Sequence, residues 1–527
     1  MGSSHLKNKY CSHIGFAYIA AFIVCIACFG FMLTNFSLTI DEETWILSSG
    51  NLKTWLWQGR YTLYLLAVLF NDGGSFAPFL WDFLGIILWF LSGMVFVHVF
   101  LGEKKNEHPG TVFFMLAYYS SVPFVLANLF AFSMQSLQNG LAALLTAFAV
   151  LLTEKYIEER GKKKLAGIVV LLIISLGVYQ AFICLYITAI AGISLFVQTD
   201  NKKGSSKKIL LAGAAICVIA AFSYWLINKA AGYAVGTQGY LSANYVGWTS
   251  ESPIKSFLMS IANIGRVSFA IPYQGVYVDG GFGIRIITAL FVIYAVIKTC
   301  LAKGLRRKLS LFFSCVLLCC APFSLYILLA TYKTQGRMML ALPLAGALEI
   351  YLIYSFFRNK EAAMIKWAGI ILTAIILFVN AKDMNRLFYR TDISYRQDCR
   401  TGEDIISDIT HAGIDYHSKP IAFVGMIEQD GLRIRTADVL GASFFSWDDG
   451  NNVRMTDFLQ TLGYQVTCAD NSRMEKALDY LKENEMHAWP ENGSIAELDD
   501  CIVVYLSEPT DKWYVTNNMT DWLLNNR

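Results

Sequence analysis

Three consecutive carboxylates, Asp41-Glu42-Glu43, are the side chains of this sequence best suited to move a proton. A carboxylate that is partly buried loses hydration of its charged form, and neighbouring negative charge acts in the same direction. Both raise its proton affinity towards the range in which it can take a proton from a hydroxyl. The same triplet also suits a solvated helix start, since acids in a first turn favour the helix dipole and Thr39 could cap it. Further on, Arg60 lies in Trp57-Gln58-Gly59-Arg60-Tyr61, and Lys333 and Arg337 are four apart in Tyr332-Lys333-Thr334-Gln335-Gly336-Arg337. A guanidinium offers a planar fork of donors that matches phosphate oxygens, so these positions could hold an anionic group; Arg60 could equally be a snorkelling anchor. Glu43, Trp45, Gln180 and Tyr273 are candidates for substrate contact. Asp72, Asp82 and Gln180 stand at expected helix boundaries, where solvation is cheap. Glu349 and Lys229 stand at membrane depth, where polar groups face a cavity or a partner, or for Lys229 snorkel outward. Carboxylates are hard oxygen ligands, so Asp41 to Glu43 could hold a divalent cation. Three adjacent residues rarely all face one ion, and the expectation is that no metal or cofactor is required.

The elements that must position these residues are membrane helices. Hydrophobic residues make up 55% of the 527, charged residues 16%, and the mean hydropathy is +0.45, whereas a soluble domain is about a quarter charged. About 20 apolar residues cross a bilayer. Windows of that kind lie at about 14–33, 77–101, 111–132, 135–153, 166–180, 181–198, 209–232, 286–302, 309–330, 338–357 and 365–381, which predicts an all-α polytopic protein of eleven spans. Positive charge collects in alternate connections, at Lys7/Lys9, Lys104/Lys105, Lys155–Lys164, Lys202–Lys208, Lys303–Lys308 and Arg358–Lys366. Cytoplasmic loops hold that excess, so the N-terminus is expected inside. An odd number of spans then puts the C-terminus outside.

Residues 61–70 are apolar but half a crossing long and read as interfacial or re-entrant. With Trp45, Trp55 and Trp57 before them, residues 41–60 read as an amphipathic helix on the outer membrane surface. The loop at about 233–285 is rich in Gly and Tyr. Beyond about 382 the composition becomes that of a small extracytoplasmic α/β domain, with strands expected at 420–427 and 500–506 and helices at 402–412 and 472–484. The expected division is therefore a transmembrane catalytic domain over 1–381 and a soluble domain over 382–527. No paired Gly- or Pro-broken spans mark an inverted-repeat transporter. A net charge of +3 gives no basic surface for nucleic acid. Apart from Cys25 and Cys28, which sit inside an apolar helix without other ligands, the 12 cysteines lack metal-ligand spacing, and they read as small buried hydrophobes. An extracytoplasmic setting would permit a Cys468–Cys501 disulfide.

The acids just outside the first span, the Gly-Arg-aromatic stretch at Gly59-Arg60-Tyr61, and the outer Gly336-Arg337 followed by Leu342-Pro343 together resemble the serotype-converting glucosyltransferase (Gtr type II) family, part of the GT-C superfamily of membrane glycosyltransferases. The likeness covers roughly residues 14–381. It implies a GT-C-like fold and a donor sugar, glucose by family default, carried on a polyprenyl phosphate at the outer leaflet. It implies a cell-surface polysaccharide as acceptor and inversion at the anomeric carbon. Asp41, or Glu42, would be the base, and Arg60 or Arg337 would hold the departing phosphate. The family pattern has two aspartates where this chain has Asp41-Glu42. The alternative is a transporter or flippase of lipid-linked saccharide, in which the same charges would line a pathway. Their gathering on one side of the membrane argues against it.

Overall fold

The computed structural model describes residues 2–47, 52–70, 76–106, 108–199, 204–236, 246–271, 278, 280–331, 335–358, 363–429 and 439–526. They form two compact units. The first comprises Met1–Thr34, Leu52–Asp72 and Ala77–Leu387; the second comprises Asn35–Asn51, Gly73–Phe76 and Phe388–Arg527. Residues 35–51, expected in a loop of the membrane domain, thus group with the C-terminal residues.

The first unit is helical. Among the described residues seven helices are long and apolar enough to cross a membrane: His13–Thr34, Pro78–Leu101, Ser133–Glu158, Ser206–Val235, Phe282–Leu301, Leu305–Leu329 and Lys366–His411, the last continuing into the second unit. Pro109–Tyr119 and Pro123–Leu129 make an eighth if they are one span, bent by 57°. Pro123 causes the break: it cannot donate to the preceding turn and disfavours helical backbone at Val122, which is extended at ψ 104°. The remaining windows fall on the 17-residue helices Lys162–Val178, Phe182–Gln198 and Leu342–Arg358. Every one of the eleven windows therefore carries a helix or a helix pair.

Side-chain placement is that of a membrane protein. Phe16, Ile19, Leu211 and Phe222 face outward, while Ser92, Thr146, Thr153, Ser175 and Ser194 are buried. Thr146 and Thr153 donate to carbonyls one turn back, at 2.8 Å each. Small residues let two helices meet backbone to backbone: a methyl group at Gly85 would stand 2.3 Å from the Ser136 carbonyl oxygen, and one at Gly140 would stand 2.2 Å from that of Gly85.

The second unit is a small α/β fold. Strands β1 (Ile421–Val424), β2 (Ile495–Glu497) and β3 (Ile502–Tyr505) form a sheet in the order β1-β3-β2. Ile421 pairs in parallel with Ile502, and Ile495 pairs antiparallel with Val504. Asn471–Glu483 begins at Asp470, whose side chain accepts from the Arg473 N–H, and its Met474, Ala477 and Leu478 pack with Val424, Val503 and Trp513 in the core. Cys468 and Cys501 are free thiols. Cys501 is in the core and Cys468 receives the Asn452 amide at 2.8 Å, so the disulfide that an extracytoplasmic setting would permit is not formed.

Residues 41–60 are not one surface helix. They contain the short helices Glu42–Leu47 and Lys53–Trp57, which belong to different units. Trp45 and Trp55 are 9% and 6% exposed, so their rings pack into protein instead of lying along an interface. Tyr61–Phe70 is a helix, as is Pro253–Ser268 within the long loop. Tyr240, Tyr245, Tyr273 and Tyr277 lie outside the described residues.

Candidate functional site

The acidic triplet divides by environment within the second unit. Thr39 to Glu42 form a turn closed by Glu42 N–H on the Thr39 carbonyl at 3.0 Å. Asp41 occupies left-handed backbone there, at φ 83°, a conformation that aspartate tolerates better than most residues. Glu42 is fully buried, and its Oε2 accepts from both the Thr39 N–H (3.0 Å) and the Thr39 hydroxyl (2.9 Å). Thr39 thus acts as a double donor to the acid. Glu43 is also fully buried: Oε1 accepts from Arg454, and Oε2 has no hydrogen-bond partner. Burial above all, and next the negative charge of Asp41, push the Glu43 carboxyl up to about 7, with Arg454 acting in the opposite direction. Asp41 is the open member, its side chain 56% exposed, with Oδ1 3.1 Å from Arg454 Nη2.

Arg454 completes this cluster. It lies in the first turn of Asn452–Thr461, where the Asn451 side chain accepts its backbone N–H. Asn452 fixes that helix start to the sheet, its Oδ1 accepting from the Phe423 N–H at 2.8 Å. The guanidinium is 13% exposed and reaches Glu43, Asp41 and, at 3.3 Å, Asp448 Oδ2. Neither Arg454 nor Asp448 carries a signal in the sequence. More than 400 residues separate Arg454 from Asp41 and Glu43, and pattern within a window cannot see such a pairing.

Arg60 is placed inside the first unit by a turn clamped by Tyr224 of the helix Ser206–Val235 and by Gln180, which lies between the helices Lys162–Val178 and Phe182–Gln198. Gly59 adopts φ +72°; the Tyr224 hydroxyl donates to its carbonyl at 3.0 Å, and Gln180 Nε2 donates to the Gln58 carbonyl and to the Tyr224 hydroxyl, each at 2.8 Å. Gln180 therefore supports the turn and is not a loose boundary residue. The Arg60 guanidinium donates to Gln135 Oε1 at 3.1 Å and lies 5.6 Å from the Trp55 ring and 5.0 Å from the Tyr179 ring. Ring faces and an amide oxygen help to orient a guanidinium.

Arg337 is in the 3-10 turn Gly336–Met339, 5.1 Å from the Phe132 ring. Gly336 is needed there, because a Cβ would stand 2.1 Å from the Phe124 carbonyl oxygen. Lys333 and Asp72, like Tyr273, lie outside the described residues. Trp45 is buried. Asp82 is 3% exposed and accepts from the Ser133 hydroxyl at 2.8 Å, so it is an interior group instead of a solvated boundary one. Glu349 is 5% exposed and lines a small cavity with Tyr118, Ser268, Thr288 and Cys319. Lys229 lies on an exposed face, 5.5 Å over the Trp225 ring.

The long outward-facing apolar helices and the small sheet-containing unit define a polytopic membrane protein with an appended α/β unit. The chain belongs to the glucosyl transferase GtrII family, whose model matches residues 30–357. It is accordingly a membrane glucosyltransferase. No curated protein matches the chain. The family match includes Asp41, Glu42, Glu43, Arg60 and Arg337 and ends well before Arg454.

Proposed function

We propose that the protein is an inverting GT-C-type glycosyltransferase that moves glucose from a polyprenyl-phosphate donor to a cell-surface polysaccharide at the outer face of the cell membrane. Eleven spans with a cytoplasmic N-terminus and an extracytoplasmic C-terminal unit give this arrangement. The positive charge of the alternate loops supports it. Asp41 is the general base. One observation carries that choice: of the three adjacent acids, Glu42 and Glu43 are fully buried, whereas Asp41 is open and is held through one oxygen only.

In the reaction, Asp41 Oδ2 takes the proton of the acceptor hydroxyl as that oxygen attacks the anomeric carbon. The bond from that carbon to the phosphate oxygen breaks, and its electron pair leaves on the lipid phosphate. A single displacement inverts the centre. No acid partner is needed, since a phosphate departs without protonation at neutral pH, unlike the alcohol expelled in glycoside hydrolysis. Arg60, with Arg337 and Lys333, stabilises the charge that develops on the phosphate. Tyr273 offers an aromatic face to a sugar ring, and the C-terminal unit binds acceptor glycan. Glu42 serves the turn that presents Asp41.

The test is transfer from a synthetic polyprenyl-phosphate glucose to surface polysaccharide by the purified protein. Wild type is expected to form the glucosylated product with the anomeric configuration inverted. Retention of configuration overturns the single displacement. Movement of labelled lipid across liposomes, with no transfer from any donor, makes the protein a flippase instead.

A further inference from the structure

We propose that Arg454 is a positioning residue for the reaction: it holds Asp41 Oδ1, and thereby leaves Oδ2 directed at the acceptor hydroxyl. This rests on Asp41 being the base. It places a functional residue outside the stretch that matches the family and gives the C-terminal unit a part in the chemistry beyond acceptor binding.

Three observations support it. Arg454 is mostly buried against three carboxylates from two distant parts of the chain, Asp41 and Glu43 from the acidic triplet and Asp448 from six residues before it. If all are ionised the cluster carries two more negative charges than positive, which favours uptake of a proton by the group as a whole. Second, the arrangement is costly as a purely structural device. Glu43 is fully buried with Oε2 unpartnered, and Arg454 Nε is buried without a partner as well. Buried polar atoms are nearly always hydrogen bonded, and a buried ion pair is weak evidence for stability. Third, two of the three acids stand in left-handed backbone, Asp41 at φ 83° and Asp448 at φ 54°. Strained backbone of this kind persists where surrounding structure enforces it, and it concentrates at functional sites. Glu43 fixes one nitrogen of the fork from inside, and the sheet-anchored helix fixes its Cα, so the second nitrogen has a defined direction in which to hold Asp41.

Steady-state transfer kinetics of the full-length protein test this, with Asp41→Asn, Arg454→Gln and Arg454→Lys measured in parallel. Arg454→Gln is expected to lower kcat by 10-fold or more while leaving KM for the donor lipid within about 2-fold, as befits a group that orients a base and does not bind donor. Arg454→Lys keeps a charge beside Glu43 but lacks the fork, and recovers at most part of the loss. Loss of transfer in Asp41→Asn with wild-type kcat in Arg454→Gln overturns the positioning role alone. Full transfer by Asp41→Asn overturns the base and the positioning role together. A raised donor KM with unchanged kcat in Arg454→Gln makes Arg454 a binding residue and also overturns the inference. Should Arg454→Gln not accumulate as folded protein, wild-type kcat in Arg454→Lys is the overturning result.

Discussion

The two arginine environments of this protein are built on opposite plans. Arg454, in the α/β unit, is held by carboxylates, so its charge is met by side chains of the protein. Arg60, in the helical unit, has among its contacts an amide oxygen and two aromatic faces, which help to set the plane of the guanidinium. Desolvation explains why each suits its place. A guanidinium sunk among acids orients them and makes the group acid-rich; one cradled by rings has its plane set by their faces. The difference teaches that the contacts around each arginine, not its presence, separate the two roles proposed for them.

The sharpest way to break this contrast is at Asp41. Asp41→Asn should reduce kcat on the order of 10²- to 10⁴-fold, the usual worth of a positioned general base. Glu42→Gln should act through abundance of folded protein and not through kcat, because its carboxylate is closed inside the turn by Thr39. Equal kcat losses in the two variants, measured on purified protein, would erase the distinction between open and buried acid. Arg60→Gln comes next. Loss of one group stabilising leaving-group charge should cost on the order of 10²-fold in transfer rate, and Arg60→Lys should recover only part of it. Unchanged donor kinetics in Arg60→Gln would reduce that residue to an anchor.

How much of this was legible beforehand follows the range of the forces. Helices wrote themselves into the sequence, since apolar length is a local signal, and every predicted window carries one. The strands at 421–424 and 502–505 were visible for the same reason, as short β-branched runs. The Asp41 triplet was visible as a cluster, but which acid is open was not, because that depends on Thr39 closing back on Glu42 and on an arginine far along the chain. Residues 41–60 misled because tryptophan suits both an interface and a core, and Trp45 and Trp55 take the core. Gln180 does stand at a helix boundary, but its partners, the Gln58 carbonyl and Tyr224, come from distant segments and left no local signal.

A pH experiment sharpens the comparison from the side of the buried acid. The Glu43 carboxyl is raised from 4.5 to about 7 in the folded protein, so between those values the folded state binds more protons than the unfolded one. Stability must then fall as pH rises from about 4.5 to about 7, and level off above. The ceiling on that change is roughly 3 kcal/mol, from 1.36 kcal/mol per unit. Glu43→Gln cannot titrate and should flatten that part of the profile when unfolding temperature is followed against pH in detergent. An identical slope in the variant would assign the pH dependence to other groups.

The smallest effect belongs to the aromatic side. The Tyr224 hydroxyl donates to the Gly59 carbonyl and accepts from Gln180, and so ties the Arg60 turn to the helix Ser206–Val235 and to the turn that holds Gln180. Tyr224→Phe removes both bonds but keeps the ring that packs 5.7 Å from Tyr61. The expected stability loss is about 0.5–1.5 kcal/mol per bond. Gln180 still holds the Gln58 carbonyl, so the turn should loosen without opening, and donor KM should rise a few-fold with kcat nearly kept. The outcome that counts against this is a collapse of kcat as deep as that of Arg60→Gln. It would mean that the hydroxyl acts on the substrate itself, and that the ring-held arginine is only part of an anion site in which Tyr224 is an equal member.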